Sequence, residues 1–263
     1  MCWLKSKRGM RVVVYAFQIR LEALWRAIGD RHFIKQMLWV GPIWVLTMLI
    51  IYLNIQFLNA RYPDPVRPDD LLLDLIPETE AFIFIGDLAT TGLFAVTILY
   101  FGFWQQAMHR LPKLLFLLAV MYTIRAFVIN LTPLAQIQAP ADNFHESHFI
   151  AQTFYHGMYF SGHTASAFMQ AFFFRGYAHR WVLFVLAGTA AFSLIASHSH
   201  YTIDIVGGFF VAYFVVNFEW MRLVPRRWHE AEWAPWHDVR QAQAERAAPM
   251  PEAVASINEA PPR

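Results

Sequence analysis

The chain carries two short motifs that decide its fold, FSGHT at residues 160–164 and HYTID at residues 200–204. Each motif places a histidine at the start of a long apolar run. In the second motif Asp204 follows His200 by four residues, which is one turn along the same face of a helix. This spacing suits an imidazole that a carboxylate orients. We therefore expect two apolar helices, each with a histidine at its mouth.

A single buried histidine–aspartate pair is most often structural, so the second motif alone would not indicate a site. Two histidines at membrane depth favour a functional interpretation. Ionisable groups near hydrocarbon are costly and usually face a partner or a pathway.

The composition indicates the class of protein. Of the 263 residues, 57% are apolar, 17% are aromatic and only 15% are charged, which is not the balance of a soluble domain. The formal charge of +2 gives no indication of a nucleic-acid partner. Cys2 stands alone, which excludes an intrachain disulfide and a cysteine metal site. The sequence therefore predicts an all-α, polytopic membrane protein.

Apolar runs long enough to span a bilayer, roughly 17 to 25 residues, recur along the chain without a competing strand pattern. They predict a six-transmembrane-helix bundle within residues 33–222, with spans at about Phe33–Phe57, Ala81–Ala107, Leu111–Leu131, Phe160–Tyr177, Trp181–Ser197 and Ile203–Arg222.

Basic residues are distributed asymmetrically among the connections. Lys and Arg concentrate in the N-terminal segment, in the links at 109–113 and 175–180 and in the C-terminal segment, whereas residues 132–159 contain none. By the positive-inside rule both termini are expected to be cytoplasmic. Both histidine motifs then meet at the outer face, which is exoplasmic or periplasmic. The membrane would be the inner membrane in a bacterium, or the Golgi or plasma membrane in a eukaryote.

The two ends of the chain lie outside this bundle. Residues 1–32 are basic and amphipathic, and they predict a cytoplasmic helix that lies on the membrane surface or, equally, packs on its own protein. They lack a small-residue cleavage site, so a removable signal peptide is not expected. Residues 223–263 are rich in Ala, Glu and Pro and predict a mostly disordered cytoplasmic tail.

Three residues suit an anion such as a phosphate group. Ser161 can cap the fourth span, and Gly162 would let backbone N–H groups approach an anion at that helix N-terminus. Arg125 lies inside the third span, so it should face the bundle interior, where its planar guanidinium suits a pair of phosphate oxygens. An internal salt bridge with Asp87 is the structural alternative.

The motif histidines suit phosphoryl chemistry. Asp204 would hold one ring nitrogen of His200, leaving the other free to attack phosphorus. His163 would give or take a proton beside the bound phosphate. No metal or other cofactor is expected, because the remaining histidines near the site are irregularly spaced: His145, His148, His156 and His198.

Together these motifs resemble the third and fourth signature motifs of the sphingomyelin synthases, a branch of the type 2 phosphatidic acid phosphatase superfamily. The resemblance covers roughly residues 33–222 and extends to the Pro68–Asp69 loop and to Arg125 with Thr132 and Pro133 after it. It implies that His163, His200 and Asp204 form a catalytic triad on the exoplasmic face. The general phosphatase branch matches less well, because its Ser-Arg before the last histidine is absent.

The resemblance also implies an activity. Family members transfer phosphocholine or phosphoethanolamine from a glycerophospholipid to ceramide, release diacylglycerol and need no metal, so a sphingolipid transferase is expected. The partners would be a phospholipid donor and a lipid acceptor in the membrane, and self-association into a homo-oligomer stays open. The chain departs from the family pattern at Gly157, where an Asp is usual, and at Tyr155 and His156, where Cys and Gly are usual.

Aromatic residues near the motifs are candidates for head-group recognition. Tyr155, Tyr159 and Tyr201 could hold a quaternary ammonium by cation–π attraction, or they could be interfacial belt residues. Two alternatives to the transferase remain open. A phospholipase C-type or lipid phosphate hydrolase would use the same residues with water as acceptor, whereas a lipid-binding or transport protein would not need the His–Asp pair.

Overall fold

The computed structural model of the chain describes residues 17–62, 67–134, 137 and 159–218. Most of these residues are helical and none forms a β-strand, so the all-α prediction is confirmed for them. The helices are α1 (17–29), α2 (Arg31–Arg61), α3 (Leu71–Leu75), α4 (Ala81–Ala95), α5 (Leu111–Leu131), α6 (Gly162–Phe173), α7 (Trp181–Ala196) and α8 (Thr202–Asn217). A π-helix, Val96–Trp104, continues α4, and a 3-10 turn, Met108–Arg110, leads into α5.

Three helical stretches are long and apolar enough to cross a membrane, and they coincide with the first three predicted spans: Arg31–Arg61, Ala81–Trp104 and Met108–Leu131. The other three helices are shorter. α7 and α8 have 16 residues each, which gives about 24 Å of helix against a hydrocarbon core of about 30 Å. The six-span bundle therefore stays a prediction.

α2 packs along α5 through polar and apolar contacts. The indole of Trp44 donates to the carbonyl oxygen of Leu115 at 2.8 Å, and the amide of Asn54 donates to that of Ala126 at 2.9 Å. Both acceptors are backbone carbonyl oxygens of α5. An apolar cluster near the second bond also joins the two helices, with Ile51, Ile55 and Leu58 from α2 and Ala126 and Ile129 from α5.

α6 packs against both α7 and α8. The approach to α8 is close because Gly208 has no side chain. A β-carbon at this position would lie 2.8 Å from the carbonyl oxygen of Ser161 and 3.1 Å from the β-carbon of Thr164. The absence of a side chain in α8 thus lets the first turn of α6, which carries His163, lie directly against it.

α1 contacts the end of the π-helix. Nε of Arg20 donates to the carbonyl oxygen of Trp104 at 3.2 Å, and its guanidinium lies 4.0 Å above the indole ring. The opposite side of α1 is open, with Trp25 66% exposed. Part of the surface of α1 therefore packs on the protein, as one of the two predicted alternatives required. Its exposed apolar residues suit the other alternative, a helix at the membrane interface.

Several predictions concern residues outside the described ranges. The basic segment before residue 17, most of the 132–159 connection and the proposed tail are among them. The compact unit that begins the chain ends at Phe218, and the following unit, Glu219–Arg263, is also outside the described residues. The disorder predicted for the tail stays a prediction.

We expect Gly208→Ala to destabilise the protein by about 1–3 kcal/mol, because the added methyl would meet backbone atoms of α6 that cannot move without separating the helices. Thermal unfolding in detergent measures this change. Gly188→Ala is the matched control, because nothing lies within 4 Å of the added methyl in α7. That variant should be neutral or more stable by up to about 1 kcal/mol. Equal unfolding temperatures for the two variants would contradict the close crossing.

Candidate active site

The first turn of α6 is fixed by Ser161. Its hydroxyl accepts a hydrogen bond from the backbone N–H of Thr164 at 3.3 Å, so the predicted helix cap is confirmed. The backbone N–H of Ser161 donates to the carbonyl oxygen of Asp204 at 3.0 Å. One residue therefore caps α6 and ties the FSGHT motif to the HYTID motif.

The pair formed by His200 and Asp204 is buried. Nδ1 of His200 lies 3.3 Å from Oδ2 of Asp204, and the two residues are 7% and 0% exposed. The same Oδ2 accepts from the backbone N–H of Tyr201 at 3.2 Å. A carboxylate bound at Nδ1 favours the tautomer that carries its proton there. Nε2 is then the nitrogen left for a reaction.

The local geometry of this pair differs from the expectation of two residues on one helix face. His200 lies in the turn before α8, and Asp204 is the third residue of that helix. His200 and Asp204 meet because the carboxylate folds back over the helix N-terminus. There it accepts from the N–H of Tyr201, which has no partner within the helix. The residues predicted as a pair are brought together by an N-terminal turn rather than by one helical face.

His163 faces the buried pair from α6. Its ring centroid lies 6.4 Å from that of His200, with an angle of 66° between the ring planes. His163 is exposed whereas His200 is buried. A single reacting group could therefore contact one imidazole backed by a carboxylate and a second imidazole open to its surroundings.

Arg125 faces the bundle interior, as expected for an arginine at membrane depth. Its Nε donates to the carbonyl oxygen of Phe160 at 2.9 Å. A β-carbon at Gly162 would lie 3.2 Å from Nη1 of Arg125 and 3.2 Å from the ring of Tyr122. The structure thus brings together the three residues that the sequence singled out for an anion. Asp87, the alternative partner of Arg125, has an exposed side chain on α4.

The aromatic candidates differ in where they lie. Tyr201 is 2% exposed, and its hydroxyl has no hydrogen-bond partner among the described residues. Tyr159 lies over Gly207, where an added β-carbon would come within 3.1 Å of its hydroxyl. Tyr155 is outside the described residues. The structure therefore describes the surroundings of two of the three candidates, Tyr159 and Tyr201.

Within the described ranges, no three His, Cys, Asp or Glu side chains come together as metal ligands would. Nε2 of His198 lies 2.8 Å from the carbonyl oxygen of Ile76, so this histidine makes a loop contact. The other three histidines considered for metal binding, His145, His148 and His156, are outside the described residues.

One contact at the site was not predicted from the sequence. The carboxylate of Asp70 binds Thr202, the first residue of α8. Asp70 precedes an apolar run as a helix-capping residue does, and that signal could have drawn attention to it. Its distant partner could not be identified from spacing.

Comparison with known proteins adds one finding. Residues 158–221 match the family described as PAP2 superfamily C-terminal, and no curated protein matches the chain. The matched stretch contains FSGHT, HYTID, α6, α7 and α8. The match supports assignment to the type 2 phosphatidic acid phosphatase superfamily, whose members are phosphoryl-transfer or hydrolytic enzymes, and with the apolar helices it indicates an integral membrane protein.

Proposed function

We propose that this protein is a sphingomyelin synthase-like lipid phosphotransferase. It would move phosphocholine or phosphoethanolamine from a glycerophospholipid to ceramide or a similar lipid hydroxyl. The observation that carries this proposal is the buried His200–Asp204 pair facing the second imidazole, His163, at 6.4 Å between ring centroids. The superfamily match supports lipid phosphoryl chemistry in general.

In the first step Nε2 of His200 attacks the phosphorus of the donor lipid. A P–N bond forms, and the bond from phosphorus to the diacylglycerol oxygen breaks. Protonated His163 gives its proton to that oxygen, and Asp204 stabilises the positive charge on His200. The products of this step are diacylglycerol and a phosphohistidine diester.

In the second step the acceptor hydroxyl attacks the phosphohistidine. His163, now neutral, takes the hydroxyl proton, the P–N bond breaks, and His200 returns to its starting state. Arg125 and the backbone N–H groups that begin α6 would hold the phosphate oxygens through both steps. The placement of Arg125 against Gly162 supports these roles.

Water as the acceptor would give a phospholipase C-type or lipid phosphate hydrolase with the same residues in the same roles. The two activities are separated by incubating the purified protein with labelled phospholipid, with and without ceramide. A phosphorus-containing sphingolipid identifies the transferase, whereas a water-soluble phosphorylated head group formed regardless of ceramide identifies the hydrolase. No labelled product in either reaction would contradict both.

We expect His163→Ala and His200→Ala to stay folded and to lower turnover by about 10²–10⁴-fold. The first variant lacks the group that transfers a proton, and the second lacks the group that bonds to phosphorus. Asp204→Asn should be the mildest of the three, since the nucleophile remains. The initial rate of product formation measures the effect. Turnover above about a tenth of wild type in His200→Ala would contradict its role as nucleophile.

The six-span arrangement with cytoplasmic termini belongs to the same proposal, and it places the site on the exoplasmic or periplasmic face. A cysteine introduced at Gln138 in Cys2→Ser protein should react with an impermeant thiol reagent added outside intact cells. A cysteine at Ala178 should not, because it lies in the basic link between α6 and α7. The reverse labelling pattern would place the chemistry on the cytoplasmic side.

The head group is proposed to be choline. Gly157 lacks the carboxylate that could pair with a charged amine, so recognition would depend on aromatic rings, whose attraction for a quaternary ammonium is roughly 0.5–2 kcal/mol. We expect phosphatidylcholine to be used faster than phosphatidylethanolamine in mixed micelles, and Tyr155→Leu or Tyr159→Leu to raise the apparent KM for the donor. Faster use of phosphatidylethanolamine, or an unchanged KM in both variants, would contradict this choice.

A further inference from the structure

The connection between α2 and α4 is bound to the N-terminus of α8 through one carboxylate. Oδ2 of Asp70 accepts from the backbone N–H of Thr202 at 2.6 Å, and Oδ1 accepts from its hydroxyl at 2.8 Å. Oδ1 also accepts from the N–H of Leu72 at 3.0 Å, which caps α3. A single side chain therefore caps the N-terminus of α3 and binds the first residue of α8.

Two further bonds join the same connection to the turn between α7 and α8. The N–H of Thr79 donates to the carbonyl oxygen of Ala196 at 3.1 Å, and Nε2 of His198 lies 2.8 Å from the carbonyl oxygen of Ile76. The turn that carries His200 is consequently held before and after that histidine. The Asp70 contact is the one that holds it on the side of Asp204.

The charge of Asp70 suits this position. Partial burial would raise its pKa, but the hydrogen bonds from Thr202, with those from Leu72 and Leu73, hold it below its ordinary value. The side chain is therefore a carboxylate near neutral pH. A negative charge at the N-terminus of α8 is also favoured by the helix dipole.

We propose that Asp70 is a positioning residue that fixes the His200–Asp204 pair by holding Thr202. Thr202 lies between the two members of the pair, so a shift of its backbone moves both. The His200–Asp204 contact is already 3.3 Å long, and a further displacement of about 1 Å would take it beyond hydrogen-bond distance. This proposal rests on the proposed function, which assigns His200 and Asp204 their catalytic roles.

The test compares Asp70→Ser with Asp69→Asn. Serine can still cap α3 through Leu72, but one hydroxyl cannot replace a carboxylate that also accepts from both the N–H and the hydroxyl of Thr202. Asp69 is an exposed neighbouring carboxylate whose side chain makes no hydrogen bond to the described residues, so its variant controls for the loss of a negative charge in this loop. Two quantities are measured, the steady-state kinetics of head-group transfer and the hydrogen–deuterium exchange of the peptide covering residues 196–204.

For Asp70→Ser we expect kcat to fall by about 10- to 10²-fold with the donor KM within about twofold of wild type, because misplaced groups slow the chemical step without weakening substrate binding. Exchange in residues 196–204 should become faster. Asp69→Asn should match wild type in both measurements. Wild-type kcat in Asp70→Ser, or a raised KM with unchanged kcat, would overturn the proposal.

If Asp70→Ser does not fold, Thr202→Val takes its place, because it removes the hydroxyl bond and keeps the backbone one. It should show the same changes to a smaller extent, and wild-type values of kcat and exchange would overturn the proposal. If the wild type shows no turnover that depends on His200, the proposed function fails, and exchange alone decides the role of Asp70. Faster exchange of residues 196–204 in the Asp70 or Thr202 variant, but not in Asp69→Asn, then supports the positioning role of Asp70. Unchanged exchange in the Asp70 or Thr202 variant overturns that role.

Discussion

The constraint on which the site depends is the burial of the Asp204 carboxylate. A carboxylate removed from solvent must be stabilised by hydrogen bonds or opposite charge. Here Oδ2 is bound by His200 and by the N–H of Tyr201, and the backbone carbonyl of the same residue accepts from Ser161. Side chain and backbone of one residue thus fix the nucleophile candidate and the start of α6. Removing the carboxylate would leave Nδ1 of His200 and the N–H of Tyr201 buried without their partner.

Much of the site could be predicted because its residues carry strong local signals. Ser161 precedes an apolar helix as a capping residue does, and the structure confirms that cap. Arg125 was expected to face inward because lipid exposure is costly, and it binds the carbonyl oxygen of Phe160. The free-energy cost of exposing a charged side chain to lipid thus singled out Arg125, which composition alone would not distinguish from a surface arginine.

Other features could not be predicted, for reasons that are equally physical. Apolar composition marks the approximate extent of a run, whereas a helix begins and ends where its backbone is capped. The predicted fourth span therefore began at Phe160 and ran to Tyr177, but α6 comprises only Gly162–Phe173. The Asp70–Thr202 contact was missed because it joins residues 132 positions apart, and local patterns carry no information about such pairs.

That long separation also affects how the protein is made. Asp70 leaves the ribosome well before Thr202, so the connection between α2 and α4 must wait without its partner while the chain from α4 to α7 is synthesised. Contacts between distant parts of a chain form late, since the intervening chain must first be ordered. The catalytic arrangement would accordingly be completed only when α8 docks. A nascent chain released before that point would carry FSGHT without the helix that supports it.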